Sequence, residues 1–265
     1  MKTFIVSICV SAGLATCATL CFAANDGANP WNGTWKLNQE RSKLTGDTFS
    51  ISKIKAGKLH YDNGAVMYDF ACDGTDYSTL ADRTISCTQN SPSSFSMVTK
   101  AKGTEYSRTQ REISPDGKQL TAITKGTQPD GTPYTDTNVF ERISGKSGLL
   151  GTWKNVKSES TSPDIVVINV SDPDVIHWEL PGFKQSIDGR MDGQPIAVTG
   201  PQVPDGLTFT FRKVGATRLT YAVKVKDKTL NEGVQALSDD GRTLTDTSWI
   251  PAKPTEKEIA FYEKQ

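Results

Sequence analysis

The chain repeats itself once, and this duplication limits the folds that it can adopt. Residues 30–144 and 148–265 carry the same landmarks in the same order, which is the signature of a duplicated structural unit. Only "SGKSG" at 144–148 lies between the copies, so we expect two similar domains, 30–144 and 148–265, that pack closely together. The matched segments are "GTWKLNQERS" (33–42) with "GTWKNVKSES" (151–160), "LHYD" (59–62) with "IHWE" (176–179), "SPDGKQLTAI" (114–123) with "SDDGRTLTDT" (238–247), and "VFERI" (139–143) with "AFYEK" (260–264).

Each copy has the residue pattern of a β-sheet. Apolar residues alternate with polar ones in "VMYDFAC" (66–72), "LTFTF" (207–211) and "LTYAVKV" (219–225). Asn-Gly and Asp-Gly pairs separate such runs and favour tight hairpins, because both residues tolerate positive φ. No stretch has the pattern of a three-turn amphipathic helix. We therefore predict an all-β fold of two small antiparallel up-and-down β-barrels in tandem, since closing a meander removes exposed sheet edges.

The first residues predict export. Residues 1–23 contain Lys2, an apolar stretch and then small residues, which is typical of a secretory signal peptide. The apolar stretch is broken by Ser7, Gly13 and Thr16, so it is a poor membrane anchor, and no later segment is apolar enough for a membrane span. We expect the remaining chain to be secreted or periplasmic.

Two cysteines remain after that segment, Cys72 and Cys87, and in an oxidising compartment they are expected to form a disulfide. No C-x-x-C motif or second thiol pair indicates a redox or metal site. The repeat alignment places Cys72 opposite Met191, and Cys87 near Phe209 or Phe211. The predicted bridge therefore replaces an apolar contact of the other copy.

The balance of charge and the absence of known motifs exclude several function classes. Thirty basic residues balance thirty acidic ones, so a polyanion such as nucleic acid is not an expected partner. The chain has no G-x-S-x-G, Walker, G-x-G-x-x-G or H-E-x-x-H motif. Catalytic residues cannot be named on this basis, no cofactor is expected, and the oligomeric state stays open.

Both copies open with the motif G-x-W and end on a strand that carries a basic residue. This pattern resembles the lipocalin and calycin superfamily, and more specifically small lipocalin-like domains of exported bacterial proteins. The resemblance implies that Trp35 and Trp153 close one end of the barrels. It also implies that Arg142 and Lys264, from the final strands, pack over these rings.

The two histidines of the chain occupy matching strands. Strand alternation puts Tyr61 and Trp178 on the apolar faces of "LHYD" and "IHWE". His60 and His177, each with a carboxylate two residues later, then face outward, at a rim or at a seam between barrels. The outward set is His60, Asp62, His177 and Glu179. A metal site needs further ligands and is the weaker interpretation, so no metal is predicted.

A ligand would then have to lie in a barrel interior or in the cleft between the barrels. A barrel of about eight strands can fill itself with side chains or hold one small molecule. Aromatic and apolar residues on inward faces are therefore candidates for ligand contact: Tyr61, Val66, Tyr68, Phe70, Tyr106, Trp178, Phe209, Phe211 and Tyr221.

Three functions are compatible with these observations. The leading hypothesis is an exported lipocalin-like protein that binds a small apolar or amphipathic molecule. The second is a lipocalin-like enzyme, a cyclase, isomerase or lyase, with an inward acid or base such as Asp69 or a tyrosine hydroxyl. The third is a cell-envelope interaction module with both barrels filled, in which the apolar strand at 161–170 is covered by the partner barrel.

Overall fold

The computed structural model describes residues 29–129, 131–162, 164–171 and 174–265. The predicted signal peptide at 1–23 lies outside these residues. The described chain is all-β, and its helical segments are two short 3₁₀ turns, Lys55–Gly57 and Pro181–Phe183. None of the described helices is long and apolar enough to cross a membrane.

The two copies contribute ten strands each, in the same order. The first copy forms β1 (Gly33–Lys43), β2 (Thr48–Lys53), β3 (Leu59–Asp62), β4 (Met67–Phe70), β5 (Tyr77–Ser78), β6 (Arg83–Ser91), β7 (Ser94–Ala101), β8 (Thr104–Ile113), β9 (Gln119–Thr127) and β10 (Pro133–Ser144). The second forms β11 (Gly151–Ser160), β12 (Ile165–Ser171), β13 (Val175–Leu180), β14 (Gln185–Arg190), β15 (Ile196–Thr199), β16 (Leu207–Lys213), β17 (Arg218–Val225), β18 (Lys228–Leu237), β19 (Thr243–Trp249) and β20 (Lys257–Lys264).

The copies exchange their first strands. β1 pairs with β12 and β20 of the second copy, whereas β11 pairs with β2 and β10 of the first. Two antiparallel sheets of ten strands result. We call β2–β11 barrel 1, and β1 together with β12–β20 barrel 2. The limits of the sequence repeats, 30–144 and 148–265, therefore do not coincide with the membership of the sheets.

The short linker explains why β11 joins barrel 1. β10 and β11 form a hairpin in which Ser144 pairs with Thr152. Gly151 makes this approach possible: its φ is +129°, and a Cβ there would lie 2.0 Å from the Ser144 carbonyl oxygen. The chain therefore turns straight back into the sheet that it has just left. β1, which opens with the same "GTWK" segment, takes the equivalent place in barrel 2.

The two barrels close differently. Barrel 2 is closed by hydrogen bonding all the way round. In barrel 1 the end strands β4 and β5 form no ladder, and the predicted Cys72–Cys87 disulfide joins the sheet across this seam. Gly74 N donates to Cys87 O at 2.8 Å, and in barrel 2 Gly193 N donates to Phe211 O at 2.8 Å. The positions in barrel 2 that match Cys72 and Cys87 are Met191 and Phe211, which are both buried.

A buried tryptophan and a cation close one end of each barrel. Trp35 and Trp153 are fully buried, and their indole N–H groups donate to the Trp31 and Leu149 carbonyls at 3.0 Å. The Arg142 guanidinium lies 4.0 Å from the Trp153 ring centre, and the Lys264 ammonium 5.1 Å from that of Trp35. Because of the strand exchange, each cation covers the tryptophan of the other copy.

Candidate functional site

The interior of barrel 2 is filled. Phe209 stacks with Phe211 and Tyr221, with ring centres 5.7 and 6.1 Å apart, and lies 5.9 Å from Trp178. All four were candidates for ligand contact, and all are buried in this core. A cavity of about 10 Å³ remains beside Trp178 and Phe209, which is about the space for one water molecule.

Barrel 1, in contrast, encloses a cavity of about 230 Å³ whose mouth faces barrel 2. Strand alternation arranges its wall in layers. Ser107 and Tyr134 lie near the mouth; Thr109, Thr124 and Asp136 form the next layer, and Arg111, Ala122 and Asn138 form the one below. Residues from barrel 2 complete the mouth: Leu180, Phe183, Gln185, Asn231, Trp249, Ile250, Glu256 and Glu258.

Inward residues at matching positions explain why one barrel is hollow and the other is not. On β6 and β7 of barrel 1 these positions hold Ile85, Cys87 and Met97. The same positions on β16 and β17 of barrel 2 hold the larger aromatic side chains of Phe209, Phe211 and Tyr221. The rings fill the space that the smaller side chains leave open.

Arg111 is the one basic residue among the described residues that line the barrel 1 cavity. Its side chain is 5% exposed, and its Nε and Nη1 have no hydrogen-bond partner. It takes part in none of the ion pairs among the residues that the structure describes. The guanidinium lies 5.4 Å from the ring centre of Phe49. A buried cation without hydrogen-bonded partners costs free energy.

Aromatic rings surround Arg111. Phe49 stacks on Tyr61 at 5.4 Å between ring centres, and Tyr61 stacks on Tyr68 at 4.8 Å. Burial raises the pKa of Tyr61 far above its usual value and that of Tyr68 to about 12, while the nearby Arg111 charge opposes both shifts. Both phenols therefore stay neutral, and neither offers a negative charge to the guanidinium.

The equivalent position in barrel 2 has a satisfied partner. Arg111 faces Ala122 across the β8–β9 ladder, and the matching pair across β18–β19 is Gln235 and Asp246. Gln235 Nε2 donates to Asp246 at 2.8 Å, and Tyr221 Oη donates to the same carboxylate at 2.9 Å. Barrel 1 thus has a positive charge where barrel 2 has an amide, and an alanine methyl where barrel 2 has a carboxylate.

Polar side chains line the cavity above Arg111. Asp136 accepts hydrogen bonds from the hydroxyls of Ser160 and Ser162, the latter at 3.0 Å. The hydroxyls of Thr109 and Thr124 are hydrogen-bonded at 2.8 Å. The cavity therefore has an aromatic lower part that holds one cation, and a hydrogen-bonding upper part that includes a carboxylate.

Hydrogen bonds to Thr48 hold a loop of barrel 2, residues 250–256, over the mouth of the cavity. Glu256 accepts hydrogen bonds from Thr48 N at 2.9 Å and from Thr48 Oγ1 at 2.8 Å. Lys253 Nζ donates to the Thr48 carbonyl at 2.8 Å. Gly64 on the β3–β4 turn leaves room for this loop, since a Cβ there would lie 3.3 Å from the Lys253 side chain. The strand exchange keeps the two barrels together at this mouth.

The structure brings only some of the predicted residues into the cavity. Tyr61 and Tyr106 line it, whereas Val66, Tyr68 and Phe70 are buried in the wall without lining it. The sequence analysis did not predict Arg111 or Asp136 as cavity residues. Alternation on β8 places Arg111 on the inward face with Ser107, Thr109 and Ile113, so this signal was present in the sequence.

The histidines lie on the outer faces of the barrels. His60 Nδ1 is 2.6 Å from Asp69, and His177 Nδ1 is 2.5 Å from Asp188. The hydrogen bond that His177 donates to Asp188 raises the pKa of His177, and burial opposes this shift only in part. Asp69 is exposed, so it is not an inward acid of the kind for which the enzyme hypothesis gave it as an example. No group of three or more potential metal ligands occurs within the described residues.

The carboxylates that follow the histidines are also outside the cavity. Asp62 Oδ1 accepts a hydrogen bond from Gly64 N at 2.6 Å and stabilises the β3–β4 turn. Glu179 lies 3.7 Å from His177 Nε2 on the outer face of barrel 2. Neither histidine, and neither of the carboxylates that follow them, lines the cavity.

Comparison of the sequence with models of known protein families and with curated proteins finds no match.

Proposed function

We propose that barrel 1 binds a small molecule that has an apolar body and a carboxylate, and that Arg111 binds the carboxylate. The observation that carries this proposal is a buried guanidinium that lines the cavity and has two nitrogens without hydrogen-bond partners. A carboxylate accepts charge-assisted hydrogen bonds along an edge of a guanidinium and neutralises its charge, which makes it the matching partner. The ligand would therefore supply what Asp246 supplies in barrel 2.

The size of the cavity limits the ligand. Its volume of about 230 Å³ exceeds the roughly 150 Å³ of an engineered cavity that takes up benzene. It is below the roughly 300–1,000 Å³ of sites for drug-sized molecules. One aromatic ring with a carboxylate and a short substituent has a suitable size. Phe49, Tyr61 and Met97 offer apolar contacts for such a ring.

The wider architecture agrees with the resemblance noted in the sequence. The G-x-W tryptophans, the stacked cations and the barrel with an internal site are what a lipocalin-like protein would have. We therefore assign the chain to exported lipocalin-like binding proteins as part of this proposal, and the Cys72–Cys87 disulfide supports an oxidising compartment.

Isothermal titration calorimetry with p-ethylbenzoate and its neutral isostere p-ethylbenzamide tests the proposal. Wild-type protein should bind the carboxylate, and Arg111→Met should weaken this binding by about tenfold to a hundredfold, as expected for a hydrogen-bonded charge pair. Binding of the amide should change little.

Arg108→Met is the matched control, because Arg108 is on the same strand but is exposed and pairs with Glu105 at 3.0 Å. This variant should bind p-ethylbenzoate like the wild type. If Arg111→Met, folded by circular dichroism, bound p-ethylbenzoate as tightly as the wild type, Arg111 would not be the anchor.

A further inference from the structure

Barrel 2 contributes a buried amide to the barrel 1 cavity. Asn231 lies on β18 of barrel 2 and lines the cavity. It is 7% exposed, and its Oδ1 atom is buried without a hydrogen-bond partner. A buried amide oxygen that accepts no hydrogen bond costs free energy, so a ligand group that donates to it is favoured at this place.

The repeat places Asn231 at the mouth of the cavity. The matched ladders make Gln235 of β18 the equivalent of Arg111 on β8. Asn231 precedes Gln235 by four residues, so its equivalent is Ser107, four residues before Arg111. Ser107 lies near the mouth of barrel 1, and both Ser107 and Asn231 line the cavity. The two barrels therefore meet at this mouth through the same end of each.

Arg111 and Asn231 lie towards opposite ends of the cavity. Four residues of β8 separate Arg111 from Ser107, which corresponds to about 14 Å along the strand. Asn231 reaches the cavity from barrel 2, on the side of the mouth. An elongated ligand can therefore contact the guanidinium with one end and the amide oxygen with the other.

The chemistry of Asn231 limits the group at the outer end of the ligand. An amide oxygen is an acceptor, so it favours a donor and disfavours a second carboxylate, which has only acceptors. A purely apolar tail would leave Oδ1 buried and without a partner. A hydroxyl supplies the donor without adding a charge that would have to be desolvated.

We infer that the ligand of barrel 1 is a hydroxy acid, with its carboxylate on Arg111 and a hydroxyl at the opposite end that donates to Oδ1 of Asn231. This inference rests on the proposed function and specifies its ligand class. Phe49 and Met97 of barrel 1 and Trp249 of barrel 2 line the cavity and offer contacts for an apolar body between the two polar ends.

Three probes of nearly the same shape test the hydroxyl. They are p-(hydroxymethyl)benzoate, p-methoxybenzoate, whose oxygen has no proton to donate, and p-ethylbenzoate, which lacks that oxygen. In calorimetry, wild-type protein should bind p-(hydroxymethyl)benzoate about fivefold or more tightly than either of the others, as expected for one hydrogen bond to an otherwise unpaired acceptor. A second pair that is one carbon longer, p-(2-hydroxyethyl)benzoate and p-propylbenzoate, repeats the comparison for a more distant acceptor.

Variants of Asn231 locate the acceptor. Asn231→Leu, which has nearly the same shape, and Asn231→Ala should each reduce the preference for the hydroxyl probe to about twofold or less. Binding of p-ethylbenzoate should change little, because this probe makes no hydrogen bond to the amide. Asn169→Leu is the matched control, since Asn169 is exposed on β12 of the same barrel, and it should preserve the preference. Circular dichroism confirms that each variant is folded.

The outcomes distinguish the inference from the function on which it rests. If p-ethylbenzoate binds through Arg111 and neither hydroxyl probe binds more tightly than its apolar counterpart, the hydroxy acid is wrong and the carboxylate site stands. A p-methoxybenzoate affinity equal to that of p-(hydroxymethyl)benzoate, or a preference that persists in Asn231→Leu and Asn231→Ala, also overturns the inference. If none of the probes binds, both the inference and the proposed function are wrong.

Discussion

At the scale of single residues, the two barrels differ in whether a buried charged group has hydrogen-bond partners. Asp246 in barrel 2 is held by Tyr221 and Gln235, whereas Arg111 in barrel 1 has two N–H groups without partners. Functional sites often keep such costly groups, because the missing partner comes with the ligand. Stability measurements on the ligand-free protein can reveal this cost.

Arg111→Met should stabilise the ligand-free protein. The substitution removes unpartnered buried donors, worth about 1–3 kcal/mol, and loses a smaller cation–π contact with Phe49. Urea unfolding should give a free energy of unfolding higher by about 1 kcal/mol, with Arg108→Met unchanged. A clear loss of stability would mean that Arg111 has a structural partner.

Asp246 should make stability depend on pH. Burial raises its pKa to about 6 in the folded protein, and hydrogen bonds from Gln235 and Tyr221 only partly oppose this. The unfolded chain releases this proton near pH 4, so the stabilisation is complete below about pH 4 and is lost as pH rises to about 6. The loss is of the order of 3 kcal/mol.

Asp246→Asn should remove this dependence. Gln235 Oε1 has no partner and can accept from the introduced amide after the Gln235 side chain flips, while Tyr221 still donates. Urea unfolding from pH 4 to pH 7 measures the difference between variant and wild type. The free energy of unfolding of the variant should increasingly exceed that of the wild type as the pH rises above 4. A difference that stays constant with pH would contradict the raised pKa of Asp246.

At the scale of elements, the β8–β9 ladder of barrel 1 determines whether Arg111 is free for a ligand. Arg111 faces Ala122, and Asp246 occupies the matching position in barrel 2. Ala122→Asp would place a carboxylate next to the guanidinium. This internal partner should compete with p-ethylbenzoate and weaken its binding about tenfold or more, as measured by calorimetry.

The control for Ala122→Asp is Thr121→Asp, since Thr121 precedes Ala122 and points to the other face of β9. It adds the same charge outside the barrel and should leave p-ethylbenzoate binding nearly unchanged. Equal effects of the two variants would indicate that general electrostatics, not occupation of Arg111, governs binding.

At the scale of the whole molecule, the exchange of β1 and β11 makes the two copies one unit. Each barrel needs a strand from the other copy, so hydrogen bonds and the Trp–cation stacks cross between the copies twice. The mouth of the cavity, built from both barrels, therefore keeps its geometry without depending on the linker.

Cutting the linker should not separate the copies. A specific protease site inserted beside Lys146, an exposed linker residue, allows the native protein to be cleaved there. The two fragments should elute together in gel filtration under native conditions and separate only in denaturant. Fragments that separate without denaturant would mean that each copy completes its own barrel.

The sequence predicted the β-class, the duplication and the disulfide, because these follow from local alternation, repeated segments and compartment chemistry. It could not predict the strand exchange, since β1 and β11 both begin with "GTWK" and each fits either barrel. The cavity in barrel 1 could not be predicted from the sequence either. It depends on the combined volumes of residues such as Ile85 and Met97 across several strands, which no local sequence pattern records.

Crystallography of the protein with p-bromobenzoate tests most directly whether barrel 1 is a carboxylate-binding barrel with Arg111 as its anchor. Anomalous scattering locates the bromine, and density locates the carboxylate. A carboxylate oxygen should lie about 2.7–2.9 Å from Nε or Nη1 of Arg111, with the bromine towards Trp249 and the mouth. An empty cavity at saturating p-bromobenzoate, or a carboxylate at the mouth with the bromine beside Arg111, would contradict it.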